Sequence, residues 1–175
     1  MKRYLILSSV LLVLFQTCWA EDDHNEARNF VKEAVLIRLS ESTLSKETLS
    51  LLLARDSEGH PVSFIPDCPI CLGVQDALLA VTPGEEDRNM AAELSVDKAS
   101  TRTSFLARMV RDAVQEHLTT IESTSERVEM ADKLKKASDE GQRQLARYQA
   151  RKVDTYKMMW SCLMCDAAAR AGEDL

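Results

Sequence analysis

The sequence predicts an all-α fold, a bundle of four to six helices with a long C-terminal helix. Hydrophobic residues make up 45% of the 175-residue chain, which is enough for a packed core. In several segments they recur at steps of three and four residues, the period of an amphipathic helix. The five glycines and four prolines provide few turn residues for an all-β sandwich. Helix is therefore the expected class.

Residues 1–20 have the layout of an export signal. Two basic residues precede an apolar run at 4–15, and the small-residue ending Cys18-Trp19-Ala20 stands before an acidic segment. The apolar run is shorter than the roughly 20 residues that a membrane-spanning helix needs. We therefore expect cleavage after Ala20, a single helical domain at 21–175 in the periplasm or outside the cell, and no stable membrane insertion afterwards.

The charge of the chain bears on its partners. Loss of Lys2 and Arg3 with the signal would change the formal net charge from −6 to −8. Because nucleic-acid binding depends on basic side chains that neutralise phosphates, an acidic chain is not expected to bind nucleic acid. A protein partner of unknown identity is the remaining expectation.

Three segments of the chain have apolar stripes with helical spacing. Apolar stripes predict an amphipathic helix at 26–39 and another at 68–81, with Pro66 and Asp67 as the break and N-cap before the second. The clearest stripe, at 105–121, predicts a third helix. Between the first two, segment 49–65 suits either a short helix with an extended return or a small β-hairpin.

The C-terminal third is predicted to be the longest helix. Ser123 and Glu126 have the spacing of a capping box, which predicts a helix start there. The helical pattern then continues to about Ala169. Its apolar stripe is interrupted by Lys135, Ser138, Gly141 and Gln142, and a kink or break is predicted near Gly141. A short helix is also expected around 90–96.

Four cysteines remain once Cys18 leaves with the signal, and they form two CxxC pairs. These are Cys68-Pro69-Ile70-Cys71 and Cys162-Leu163-Met164-Cys165. Residues three apart lie on one face of a helix, so each pair presents two sulfurs to a partner. If the two segments pack antiparallel, Cys68 meets Cys165 and Cys71 meets Cys162.

The first interpretation of the four cysteines is a pair of structural disulfides between helices. Exported proteins fold in oxidising compartments, where paired thiols tend to be oxidised. Four cysteines allow three pairings, and two of these join the helices. A disulfide between residues about 97 apart would stabilise the folded state by roughly 4–5 kcal/mol in the chain-entropy description, because it restricts the unfolded chain. Cys68, Cys71, Cys162 and Cys165 are thus the candidate disulfide residues.

Two other interpretations use the same residues. The four thiolates suit a zinc site, and Met158 adds a soft ligand if the metal is copper. Alternatively, Cys68 is the nucleophile and Cys71 the resolving thiol of a thiol–disulfide oxidoreductase. Cys68-Pro69-Ile70-Cys71 is similar to the CPxC motif of glutaredoxin-like enzymes, but over four residues only and with no βαβ pattern around it.

Catalytic motifs give no positive case for an enzyme. The chain has no G-x-S-x-G, H-E-x-x-H, Walker or dinucleotide-binding motif. The histidines His24, His60 and His117 are scattered and have no ligand spacing. We therefore expect an exported helical structural or interaction protein, and an enzyme is the less favoured interpretation. If the disulfide interpretation holds, no cofactor is expected.

Overall fold

The computed structural model describes residues 3–53, 55–82, 96–157, 159 and 161–174, with side chains from residue 22 onward except those of 46, 47 and 96–102. This part of the chain is mostly helical, which confirms the all-α class. Its α-helices are α1 (Arg3–Ser40), α2 (Lys46–Leu52), α3 (Pro69–Val81), α4 (Val96–Thr119), α5 (Thr124–Ala150) and α6 (Leu163–Glu173). A single 3-10 turn, Asp154–Tyr156, lies between α5 and α6.

Helix α1 forms one wall of the core. The amphipathic helix expected at 26–39 is its second half, and that stripe packs against α3, α4 and α5. The buried positions are those of the predicted apolar stripe: Ala27, Phe30, Val31, Ala34, Val35 and Leu39. Two ion pairs join the same helix to α5, Lys133 with Glu26 at 2.5 Å and Lys136 with Asp23 at 3.0 Å.

Helix α3 lies close against α1 because Gly73 has no side chain. A Cβ at this position would come 2.5 Å from the backbone oxygen of Arg28. The Arg28 guanidinium also donates two hydrogen bonds to Asp76, at 2.9 and 2.6 Å. The close backbone approach at Gly73 and the Arg28–Asp76 ion pair therefore hold α3 against α1. Both contacts lie one to two turns beyond the first residue of α3.

The N-cap predicted for α3 is wrong by one residue. Asp67 has a left-handed backbone with φ of 59°, and its carboxylate accepts a hydrogen bond from the Tyr148 hydroxyl at 3.1 Å. Cys68 is the N-cap, because its sulfur accepts the backbone N–H of Cys71 at 3.4 Å. The first cysteine of the motif thus performs the capping that was expected of the aspartate.

Segment 49–65 contains the short helix but not the hairpin. Helix α2 ends at Leu52, and the only pairing beyond it is an isolated antiparallel bridge between Arg55 and Pro61. Between them, the Asp56 carboxylate accepts the backbone N–H groups of Glu58 and His60 and closes a turn. Within the described residues no strand is present. The short helix expected around 90–96 lies mostly outside them.

Helix α4 agrees with its predicted stripe, and α5 with its predicted start. Ser123 caps α5 by accepting the N–H of Glu126 at 3.4 Å. His117 is partly buried and its ring lies 4.5 Å from that of Phe30, a packing role rather than a ligand role. The buried residues of α4 are Leu106, Met109, Val110, Ala113, Val114 and Leu118.

The C-terminal third differs from the single helix expected to Ala169. Helix α5 continues without a break through Gly141 and ends at Ala150, and Lys152 beyond it has a left-handed backbone with φ of 59°. Tertiary contacts explain the departure. The fully buried Tyr156 donates its hydroxyl to the carbonyls of Pro61 and Phe64, at 3.0 and 3.2 Å, which draws the chain off the helix axis.

Helix α6 is therefore a separate, short element of 11 residues. It packs mainly on α4 and α5 and more narrowly on α3. Because α6 starts directly after Cys162, its contact with α3 brings the second CxxC pair beside the first. Among the described residues, no helix is both long enough and apolar enough to cross a bilayer.

Candidate metal centre

The four cysteines converge on one point in the core. Their sulfur atoms all lie within 4.8 Å of one another, and all four residues are 0% exposed. The closest pairs are Cys68 with Cys165 at 3.1 Å and Cys71 with Cys162 at 3.4 Å. This is the pairing expected for antiparallel segments, so the predicted contact between the two motifs is confirmed. The described part of the chain has no other group of three or more metal-ligating side chains at such distances.

The two CxxC motifs have the same local geometry. Cys68 and Cys162 are both N-cap residues with extended backbones, at φ/ψ of −83°/121° and −80°/103°. The second cysteine of each pair, Cys71 or Cys165, follows in the first turn of the helix. Both helices therefore direct their N-terminal ends, where backbone N–H groups and the helix dipole favour negative charge, at the same cluster.

The two motifs differ in what caps them. The amide of Cys71 bonds back to the sulfur of Cys68, and Pro69 at the first position of α3 suits the helical backbone. Cys162 makes no such side-chain cap. Its own backbone N–H instead donates to the side-chain oxygen of Gln142 on α5, at 3.2 Å.

Gly141 of α5 forms a third side of the cluster. A Cβ at this position would lie 2.5 Å from the sulfur of Cys165 and 2.6 Å from that of Cys68. Real Cβ atoms do not come this close to a sulfur, so only glycine leaves room for the cluster as it stands. The break expected at Gly141 is wrong because the glycine serves close approach rather than helix termination.

Hydrogen bonds among the thiols shift the pKa values of three of the cysteines in different directions. The thiols of Cys162, Cys165 and Cys71 surround the Cys68 sulfur and hold the pKa of Cys68 well below its ordinary value. Burial, with the other sulfurs, raises the pKa of Cys71. Contact with the Cys162 and Cys68 sulfurs raises the pKa of Cys165. The cluster therefore favours the thiolate of Cys68 and the protonated forms of Cys71 and Cys165.

The distances between the sulfur atoms can be compared with those of a disulfide and of a tetrahedral metal site. A disulfide bond is about 2.05 Å long, and the described cysteines, all free thiols, contain none. The edge of a tetrahedron of sulfurs bound to zinc at 2.3 Å is about 3.8 Å. Separations of 3.1, 3.4 and at most 4.8 Å fall around that edge. The arrangement can therefore hold a tetrahedral metal ion after small movements of the sulfurs.

The remaining predicted site residue, Met158, lies outside the described residues. Gly141 and Gln142 were not predicted as site residues from the sequence; the only signal was that both are among the four residues that interrupt the apolar stripe. Comparison with protein-family models, with curated proteins and with solved structures finds no match for this chain.

Proposed function

We propose that this is an exported helical protein in which Cys68, Cys71, Cys162 and Cys165 bind one zinc ion that fastens α6 to α3. The observation that carries the proposal is the mutual distance of the four buried sulfurs, at most 4.8 Å for every pair. Two separate disulfides need close approach within two pairs only. Convergence of all four on one point is what a single ion requires.

Zinc is the metal that this donor set suits best. Four thiolates fill a tetrahedral coordination sphere, which leaves no open position for a substrate and favours a structural rather than a catalytic site. Four thiolates around a divalent ion carry net negative charge in a buried place. The N-terminal ends of α3 and α6 offset that charge. Thiolates also suit Cu(I), so copper is the alternative metal, with Met158 as an added ligand.

The proposed role of the metal is to hold the end of the chain. Three of the five buried residues of α6 are alanines, and the helix has only 11 residues. Such a helix buries little apolar surface of its own. Since metal binding to such a site contributes directly to folding free energy, a zinc ion supplies what the packing of α6 lacks.

Two interhelix disulfides are the second candidate. The shortest sulfur separations, 3.1 and 3.4 Å, each join one motif to the other, so oxidation would pair Cys68 with Cys165 and Cys71 with Cys162. Export to an oxidising compartment favours this state. An oxidoreductase is less favoured, because Cys68 is 0% exposed and a protein disulfide does not reach its sulfur.

Export itself is proposed from residues 1–20. The first described ion pair of α1 is made by Asp23, just after the expected cleavage site. N-terminal sequencing of the protein recovered from its native compartment should begin at Glu21. An intact N-terminus, or recovery from the cytoplasm alone, would contradict export.

The metal proposal is tested by titrating reduced, metal-free protein with Co²⁺ and displacing it with Zn²⁺. One Co²⁺ per chain should bind, with the absorption of a tetrahedral thiolate complex, and Zn²⁺ should remove that absorption. Cys162→Ala should weaken binding strongly. Met164→Leu, a matched change at a buried residue between two ligands, should leave binding nearly unchanged. Absence of Co²⁺ and Zn²⁺ binding by the reduced wild-type protein would overturn the proposal.

A further inference from the structure

We propose that Gln142 is a positioning residue of this centre, holding Cys162 and Cys165 where a metal ion can bind all four sulfurs. The inference rests on the proposed function. Its observation is a pair of hydrogen bonds from one amide group: Gln142 Oε1 accepts the backbone N–H of Cys162 at 3.2 Å, and Nε2 donates to Asp166 Oδ1 at 3.0 Å.

These two bonds span the first turn of α6. Cys162 lies directly before the helix and Asp166 one turn into it, so the amide of Gln142 grips both ends of that turn. Cys165 lies between them. Two attachment points fix both the distance of α6 from α5 and its rotation about its own axis. Those two quantities decide where the sulfurs of Cys162 and Cys165 point.

The difference between the two motifs shows why such a tie is needed on one side only. In the first motif the Cys71 amide bonds to the Cys68 sulfur, so the motif orients its own N-cap cysteine. Cys162 has no capping bond through its side chain. Gln142 supplies from a neighbouring helix the restraint that this motif lacks.

Gln142 is also placed next to the residue that opens space for the cluster. Gly141 lets the sulfurs of Cys68 and Cys165 approach the backbone of α5, and Gln142 fixes the partner segment at that distance. Gly141 and Gln142 both interrupt the apolar stripe of α5. Their two departures from the helical pattern therefore have one explanation, which is construction of the centre.

The prediction for metal binding follows from the behaviour of residues that orient ligands. Removing an outer-shell hydrogen bond typically weakens metal affinity by 10–100-fold. Gln142→Leu keeps the approximate size of the side chain and removes both bonds. We expect it to weaken Co²⁺ and Zn²⁺ association by about 10- to 100-fold and to shift the Co²⁺ absorption bands, because the sulfurs of Cys162 and Cys165 lose their fixed direction.

A rescue variant separates positioning from general packing. In Gln142→Glu the side chain still accepts from Cys162 but opposes the Asp166 carboxylate. Adding Asp166→Asn restores the second bond with its direction reversed. We expect Gln142→Glu to weaken binding and the double variant to recover most of the wild-type affinity and spectrum. Gln144→Leu is the matched control on α5, because the Gln144 amide bonds to Glu140 on its own helix, and it should leave affinity unchanged.

The outcomes distinguish this inference from the proposed function. If wild-type protein binds neither Co²⁺ nor Zn²⁺, both are overturned. If wild type binds but Gln142→Leu has the same affinity and spectrum, only the positioning role is overturned, even if the melting temperature falls. If Gln142→Leu does not fold, Gln142→Glu is compared with the double variant, and equal affinities of the two contradict the inference.

Discussion

The two CxxC motifs have the same spacing and the same place at a helix start, but the chain supports them very differently. The motif of Cys68 and Cys71 opens α3, which is held against α1 by Gly73 and by the Arg28–Asp76 ion pair. The motif of Cys162 and Cys165 opens α6, which has only 11 residues. Equal motifs therefore have unequal local stability.

This difference indicates which half of the centre depends on the other. The buried residues of α3 include Ile70, Val74 and Leu78, whereas those of α6 are mainly alanines. At about 0.8 kcal/mol for each buried CH₂ group, the larger side chains give α3 several kcal/mol that α6 does not have. In the proposed zinc centre the first motif would be the preformed half-site, to which the metal would fasten the second.

Removal of the metal should reveal the difference between the two motifs most strongly. With zinc chelated under reducing conditions, hydrogen exchange should become fast in α6 and in 151–162, while α3 keeps much of its protection. The reason is that metal ligation supplies α6 with free energy of folding, which is about 10–16 kcal/mol in zinc-finger peptides. Unchanged protection of α6 after verified zinc loss would contradict the account, as would equal loss in both helices.

A methyl group at Gly141 should be nearly as damaging, because it meets one sulfur from each motif. Gly141→Ala is expected to abolish stoichiometric zinc binding and to lower the free energy of unfolding by about 1–3 kcal/mol, the usual cost of overpacking. Gly172→Ala is the matched control, since its Cβ would meet Ala131 at 2.9 Å and no sulfur. It should lower stability and leave zinc bound. Stoichiometric zinc in Gly141→Ala would contradict the assigned contact.

Zinc binding should depend on pH through both motifs, since each motif contributes one thiol with a raised pKa. These are Cys71 and Cys165, which keep their protons near neutral pH in the metal-free protein. Zinc binds thiolates, so both protons must leave and binding strengthens as pH rises. From about pH 6 to about pH 8 the association constant should rise by at least about 100-fold per pH unit, because at least these two protons are released. An affinity independent of pH in competition titrations would contradict this.

A smaller effect is expected from the connection that leads to the second motif. Tyr156→Phe removes the donor to the buried carbonyls of Pro61 and Phe64, and should lower the free energy of unfolding by about 1–3 kcal/mol. Tyr148→Phe, which loses one hydrogen bond to Asp67, is the control and should cost less. Denaturant unfolding of both variants measures the difference. An equal or larger loss in Tyr148→Phe would contradict the role given to Tyr156.

Local patterns account for most of the fold that the sequence predicts. The apolar stripes at 26–39 and 105–121 are buried as expected, and Ser123 caps α5 as its spacing indicates. These features depend on residues three or four apart, which helical geometry brings together without further information. For the same reason each CxxC pair places two sulfurs on one face of a helix. The cross-pairing follows only if the two segments pack antiparallel, which local patterns do not determine.

The features that sequence reasoning missed depend on contacts between distant segments. The end of α5 at Ala150 follows from Tyr156 bonding to carbonyls some 90 residues earlier. Gly141 shows no local reason for being a glycine, and its meaning appears only when Cys68 and Cys165 are placed beside it. Helical propensity alone cannot distinguish a glycine that breaks a helix from one that admits a neighbour.

Intact mass measured under native conditions tests the central claim most directly, on protein isolated from its native compartment without added metal or chelator. We predict one zinc ion per chain, lost on denaturation to leave a chain with four thiols that all react with an alkylating reagent. A metal-free chain lighter by four hydrogens, with no reactive thiols, would contradict the claim and establish two disulfides instead.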